Sequence, residues 1–150
     1  MTRVLVTGGR GMLGRVLVPK LVEAGYVVRV GSRQARPSTM LRSAQDASNV
    51  EWAQMDVLTG EGVAEAVRDV DVVVHGATSP GENLYAVEVE GTRHVLEAAR
   101  AAGVGHFIYV SIVGIDRTPY EYYTAKVGAE EAVRGVRYRG RICGGRSFLS

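Results

Sequence analysis

The chain has little of what fixes small folds covalently or through metals. One residue of 150 is cysteine, Cys143, so no disulfide can close within the chain. The three histidines, His75, His94 and His106, share no metal-ligand spacing with it. No apolar run approaches the ~20 residues that cross a bilayer. The opening residues carry no signal-peptide pattern, because glycines interrupt the apolar stretch soon after Thr7. A membrane partner is not expected, and a cytoplasmic location is. The charged share (23%) and apolar share (46%) are ordinary for a globular chain, which argues against disorder. A chain of this length can bury about two thirds of its unfolded surface, enough for one core.

Glycine is plentiful, at 19 residues, and its placement carries the most information. Arg3 to Gly14 reads Arg-Val-Leu-Val-Thr-Gly-Gly-Arg-Gly-Met-Leu-Gly, a short apolar strand entering a glycine-spaced turn that opens a helix. This is the context in which a dinucleotide pyrophosphate is held. Gly8 permits the tight turn, Gly11 presents no side chain to a phosphate, and Gly14 lets helix and strand approach. Free backbone N–H groups at the helix start face the anion. The loop residues Thr7, Gly8, Arg10, Gly11, Met12, Leu13 and Gly14 are therefore the first candidate cofactor site.

Strand and helix patterns then alternate. Val4 to Val6 precedes a helix over Met12 to Ala24 that Gly25 ends, and Val27 to Val30 is a second strand. Ser38 caps a short helix to about Ala47, and Val50 to Met55 is a third strand. Gly60 to Val70 reads as a helix, Val72 to His75 as a fourth strand, Asn83 to Ala102 as a long helix, and His106 to Ser111 as a fifth strand. Runs such as Val72-Val73-Val74 fit strands buried on both faces. The expected architecture is an α/β doubly wound parallel sheet in three layers, Rossmann-like, with strand order 3-2-1-4-5. Residues 1–135 form the dinucleotide-binding domain and residues 136–150 an irregular basic tail.

Ligands of such sheets sit at the carboxyl ends of the strands. At the second strand a chain selecting NAD usually places a carboxylate for the ribose 2′-hydroxyl, whereas this one offers Gly31, Ser32 and Arg33, with no acid before Asp46. Arg33, joined by Arg10, can pair with a 2′-phosphate. NADP is the expected cofactor, and NAD remains compatible with the loop. His75 reads as a structural histidine satisfied by backbone rather than as a ligand.

Several motifs, in order, resemble one family. Thr7-Gly-Gly-Arg-Gly-Met-Leu-Gly14, Asp56-Val57, Ala77, Gly91-Thr92 before Leu-Glu-Ala-Ala-Arg, and Val110-Ser-Ile-Val-Gly-Ile-Asp116 are similar to the short-chain dehydrogenase/reductase superfamily, in its atypical NmrA-like, NAD(P)H-binding branch. The resemblance covers residues 2 to about 135. It implies that Asp56 and Val57 hold the adenine edge, that Ala77 and Thr78 line the middle of the cofactor, and that Ser111 lies near the nicotinamide. It also implies a catalytic set of Ser111, Tyr122 and Lys126. The four-residue spacing of Tyr122 and Lys126 puts them on one helix face. The implied reaction is hydride transfer to a small carbonyl or quinone; a noncatalytic NADP(H) sensor or binding module, or an inactive truncated fragment, is the alternative.

Two departures from that family stand out. Where many relatives place asparagine in an Asn-Val-x-Gly-Thr run, this chain has Glu88, which speaks against a proton relay through that helix. Relatives also continue after the Tyr-x-x-x-Lys helix into a sixth strand and a substrate-enclosing segment. Here five of the eighteen basic residues (Arg134, Arg137, Arg139, Arg141, Arg146) crowd into the last seventeen positions. An out-of-frame read of GC-rich codons accounts for that composition better than a nucleic-acid-binding role. With the substrate segment missing, the fifth strand is expected to be an open edge that invites self-association. The substrate itself is not legible.

Overall fold

The computed structural model describes residues 1–37, 48–79, 81–112 and 120–136 in full, and residues 140–143 as backbone. The helix expected from Ser38 to Ala47 lies outside the described residues, as does the 113–119 part of the fifth-strand motif. Six parallel strands form one sheet in the order β3-β2-β1-β4-β5-β6: β1 Arg3–Thr7, β2 Val27–Ser32, β3 Val50–Gln54, β4 Val72–His75, β5 His106–Val110 and β6 Gly140–Cys143. The expected order 3-2-1-4-5 is therefore present. The sixth strand is an addition, in a stretch read as irregular. Its pairing covers the edge of β5 that was expected to stay open, giving partners to backbone N–H and C=O groups that would otherwise face outward.

Burial on both sheet faces explains the continuous apolar runs. On one face Val4, Val6, Val28, Val30 and Val74 pack with Val18 beneath helix α1, Met12–Glu23. On the other, Leu5, Val73, Phe107 and Tyr109 meet Val95, Leu96 and Ala99 of helix α3 (Gly91–Ala101) and Ala129 and Val133 of helix α4 (Glu121–Gly135). Successive residues of β1 alternate between the two cores, so Val4-Leu5-Val6 must be apolar throughout.

Two expected helices differ in detail. Between β3 and β4 the span read as a helix over residues 60–70 shortens to a single turn, α2, Val63–Ala66. Left-handed backbone at Gly62 (φ 72°) and Asp69 (φ 57°) breaks the helical path on both sides. The long helix expected from Asn83 to Ala102 opens with a π-helical turn, Ala86–Glu90, before α3 begins. The wider turn buries Val87, Glu88 and Val89 in succession, which an α-helical stripe could not do.

At the opposite, amino-terminal end of the sheet, Glu51 receives Arg3 and Arg29, with Arg29 Nη2 at 2.7 Å. Desolvation raises its pKa, but hydrogen bonds and charge from Arg29 and Arg3 outweigh that and hold the carboxyl below its ordinary 4.5. The cluster latches the strand starts and leaves the carboxyl ends free for ligand.

Candidate functional site

Strand order reverses between β1 and β4, and there the carboxyl ends open into a cleft of about 380 Å³. Thr7, Gly8, Arg10 and Gly11 line it from the first loop, and Ser32, Arg33 and Gln34 from the end of β2. Asp56 and Val57 come from beyond β3, and Ala77 and Thr78 from beyond β4. Ten of the expected cofactor residues are thus gathered in one cavity.

The floor of this cleft is bare backbone for steric reasons. Gly8 adopts φ +71°, and a Cβ there would lie 2.7 Å from the Gly76 carbonyl oxygen. A Cβ on Gly14 would lie 2.4 Å from the backbone of Gly9, so glycine is what lets α1 seat on the loop. Gly11 donates its N–H to the Gly8 carbonyl at 2.9 Å, closing the turn, and caps α1 with no side-chain hydrogen bond. The first-turn amides of Met12, Leu13 and Gly14 have no partner within the helix, as every helix start requires. Such amides, backed by the helix dipole, suit a pyrophosphate. The side chains of Met12 and Leu13 point elsewhere: neither lines the cleft, and Met12 is 88% exposed.

Thr7 lines the cavity but spends its hydroxyl on the scaffold. Its Oγ1 accepts N–H bonds from Gly76 at 3.1 Å and Ala77 at 3.2 Å, so its single proton goes to His75 Nδ1, 2.7 Å away. His75 then carries its proton on Nε2 and donates it to Thr92 Oγ1 at 3.0 Å, and Thr92 donates onward to the Glu88 carbonyl. Burial first, and the Lys126 charge second, hold the imidazole down at about 3. His75 is structural, as the sequence indicates, but its partners are two hydroxyls rather than backbone.

The expected catalytic set lies outside the lining of this cleft, at the end of β5. Lys126 Nζ donates to the Val110 carbonyl at 3.1 Å and stands 5.7 Å from the Tyr122 ring centroid, so the shared helix face is real and it meets the strand next to Ser111. Two buried acids engage this set. Glu88, fully buried, takes the Lys126 ammonium on Oε2 at 3.2 Å, and the same oxygen accepts from Tyr109 at 3.0 Å. Glu88 Oε1 has no hydrogen-bond partner. Burial first, then the Glu88 charge, push the Tyr109 phenol above its ordinary range. Ser111 donates to Glu130, itself paired with Arg134 at 3.1 Å. Glu130 was absent from the expected set, although it stands four residues beyond Lys126, one helical turn along the same face.

No helix among the described residues is long and apolar enough to cross a membrane, and none of them form a metal-ligating cluster. A family model described as NAD(P)H-binding matches residues 8–137. The 3-beta-hydroxysteroid dehydrogenase of Mycolicibacterium neoaurum is 35% identical to this chain, over 89% of it and 43% of that protein. The 2-alkyl-3-oxoalkanoate reductase of Stenotrophomonas maltophilia is 30% identical over 90% of this chain and 45% of its own length. Among solved structures, a short-chain dehydrogenase/reductase superfamily protein from Agrobacterium tumefaciens with bound NAD superposes with a TM-score of 0.74, at 26% identity over 93% of this chain and 48% of that one. The chain spans less than half the length of these relatives. A glycine-floored cleft at the sheet's switch point, a six-stranded parallel sheet and a match over residues 8–137 agree: the chain belongs to the NAD(P)H-binding family of the short-chain dehydrogenase/reductase superfamily.

Proposed function

We propose that the protein binds NADP(H) in this cleft in preference to NAD(H), and that it passes hydride between that cofactor and a small carbonyl or quinone in the cytoplasm. The observation that carries the cofactor choice is the end of β2. Arg10 and Arg33 line the cleft, and residues 32–37, the described stretch from the end of β2, hold no carboxylate to receive a ribose 2′-hydroxyl. The Arg33 guanidinium has no partner among the described residues, which leaves it available to a 2′-phosphate. Asp56, whose carboxylate is fixed by the Leu58 N–H at 2.8 Å, and Val57 fit the adenine end. The glycine loop fits the pyrophosphate.

Bound NADPH would supply the hydride. Tyr122 would deliver the proton to the carbonyl oxygen, with Lys126 held beside its ring. Calorimetric titration with NADPH and NADH tests the cofactor choice. Arg33→Ala is expected to weaken NADPH about tenfold, the loss of one charge-assisted contact to an exposed phosphate, and to leave NADH unchanged. An unaltered NADPH-to-NADH ratio would refute the assignment.

A second reading, a noncatalytic NADP(H) sensor, is favoured by one specific feature. Ser111 and Lys126 are both engaged by buried acids, Glu130 and Glu88. If Tyr122→Phe abolishes NADPH-dependent carbonyl reduction while cofactor affinity persists, the enzyme reading stands. Saturable cofactor binding without turnover in the unmodified chain supports the sensor.

A further inference from the structure

The end of β2 is held by more than its own backbone. Trp52 and Gln54 stand two residues apart on β3, so their side chains share a sheet face, and each hydrogen-bonds the turn that follows β2. Trp52 Nε1 donates to the Gln34 carbonyl at 2.9 Å, and Gln54 Nε2 donates to the Arg33 carbonyl at 3.2 Å. The Gln34 N–H in turn reaches Ser32 Oγ at 3.2 Å. With both carbonyls tied to β3, the Arg33 and Gln34 residues line the cleft.

Gln34 Oε1 accepts from Arg10 Nη1, joining the turn after β2 to the glycine loop after β1. The other end of Arg10 is held as well, because its carbonyl accepts from Arg15 Nε at 3.0 Å. A long cationic side chain that would otherwise lose rotamer freedom on meeting an anion is already restrained. The acceptor is also neutral. A carboxylate at position 34 would hold Arg10 equally well but would cancel its charge and repel a phosphate; an amide oxygen fixes the guanidinium and leaves its charge to the ligand.

We propose that Gln34, anchored through its carbonyl by Trp52, is a positioning residue for cofactor selection: it holds Arg10 at the cleft so that Arg10 and Arg33 together receive a 2′-phosphate. This rests on the NADP(H) reading above and adds to it a specificity element contributed by residues that need not touch the cofactor. Its role is confined to the adenosine end of the ligand.

The test uses two fragments of the cofactor that differ in one phosphate, 2′,5′-ADP and 5′-AMP, titrated calorimetrically into the purified chain. The unmodified protein is expected to bind 2′,5′-ADP the more tightly. Gln34→Ala should weaken 2′,5′-ADP by about fivefold, within the range of one lost restraint on a charged contact, and leave 5′-AMP within about twofold. Gln34→Glu should weaken 2′,5′-ADP further than Gln34→Ala, because charge is cancelled as well. Trp52→Phe, which keeps an aromatic side chain and removes the N–H, should move in the same direction as Gln34→Ala. In an Arg10→Ala background Gln34→Ala should have less than about a twofold effect, the non-additivity expected of residues acting through one another. If the unmodified protein prefers 2′,5′-ADP but Gln34→Ala leaves it unchanged, or the two substitutions add, the positioning role is overturned and the cofactor reading survives. If the unmodified protein does not distinguish the two fragments, the cofactor reading falls and takes this role with it.

Discussion

Lys126→Met is expected to cost about 3–5 kcal/mol of folding stability, read as a fall in the urea midpoint at neutral pH. The reason is the partner it leaves behind. Glu88 is completely buried, and its Oε2 faces the Lys126 ammonium at 3.2 Å with both side chains almost wholly out of solvent. Methionine fills a similar volume but supplies no charge, so a carboxylate with one oxygen already unpartnered would lose its counter-ion inside the core. The pair itself need not be worth that much. Charges removed from water lose nearly what they regain from each other, so a double variant, Glu88→Leu with Lys126→Met, should recover most of the loss. A single variant as stable as the unmodified chain would mean that Glu88 is not confined with the lysine. Recovery in the double variant alongside loss of any NADPH-dependent turnover would separate what Lys126 does for the fold from what it does for chemistry.

Why the sequence discloses the sheet but not these acids follows from where each signal resides. Strand identity is local: Val72-Val73-Val74 is apolar at every position because each face of the sheet has its own core, and that is visible without knowing what covers it. The glycine loop is local in part: Gly14 is imposed by the backbone of Gly9, five residues away, and Gly8 by its own φ of +71°, although the Gly76 carbonyl that a Cβ on Gly8 would strike comes from the far end of β4. Glu130 and Glu131, by contrast, are identical neighbours on paper. One is 2% exposed and accepts the Ser111 hydroxyl hydrogen bond while the next is exposed, and only the docking of α4 over the end of β5 tells them apart. Glu88 was visible as a departure from its relatives, yet its meaning depended on a π-helical turn that no periodicity announces. The shortened α2 has the same origin, because left-handed residues inside an apolar pattern read as helix until the backbone is seen. Positioning by Gln34 escaped for a similar reason: its partners, Arg10 and Trp52, lie 24 and 18 residues away, on separate elements.

His75 makes stability respond to falling pH. In the unfolded chain its imidazole takes a proton as pH falls below its ordinary 6.5, whereas in the folded protein burial and Lys126 keep it neutral down to about 3. Between those values the unfolded state binds one proton more, so stability is full above 6.5 and is lost as pH falls, by up to about 1.4 kcal/mol per pH unit. The hydroxyl chain explains why the folded site resists. Protonating Nδ1 would set an N–H against the Thr7 hydroxyl, which has its two N–H donors, Gly76 and Ala77, to accept and would have nowhere to send its own proton. Unfolding measured at pH 7.5 and 5.5 isolates this term, because the Glu51 carboxyl titrates below 4.5. The unmodified chain should lose about 1.4 kcal/mol more over that interval than His75→Gln, which starts less stable but has no imidazole to protonate there. Equal losses in the two proteins would place the proton on His75 in the folded state and break the Thr7–His75–Thr92 chain that fixes the cleft floor to β4. Because that chain holds the Gly76 and Ala77 amides in place, NADPH affinity should fall in His75→Gln even at pH 7.5, where the imidazole charge plays no part.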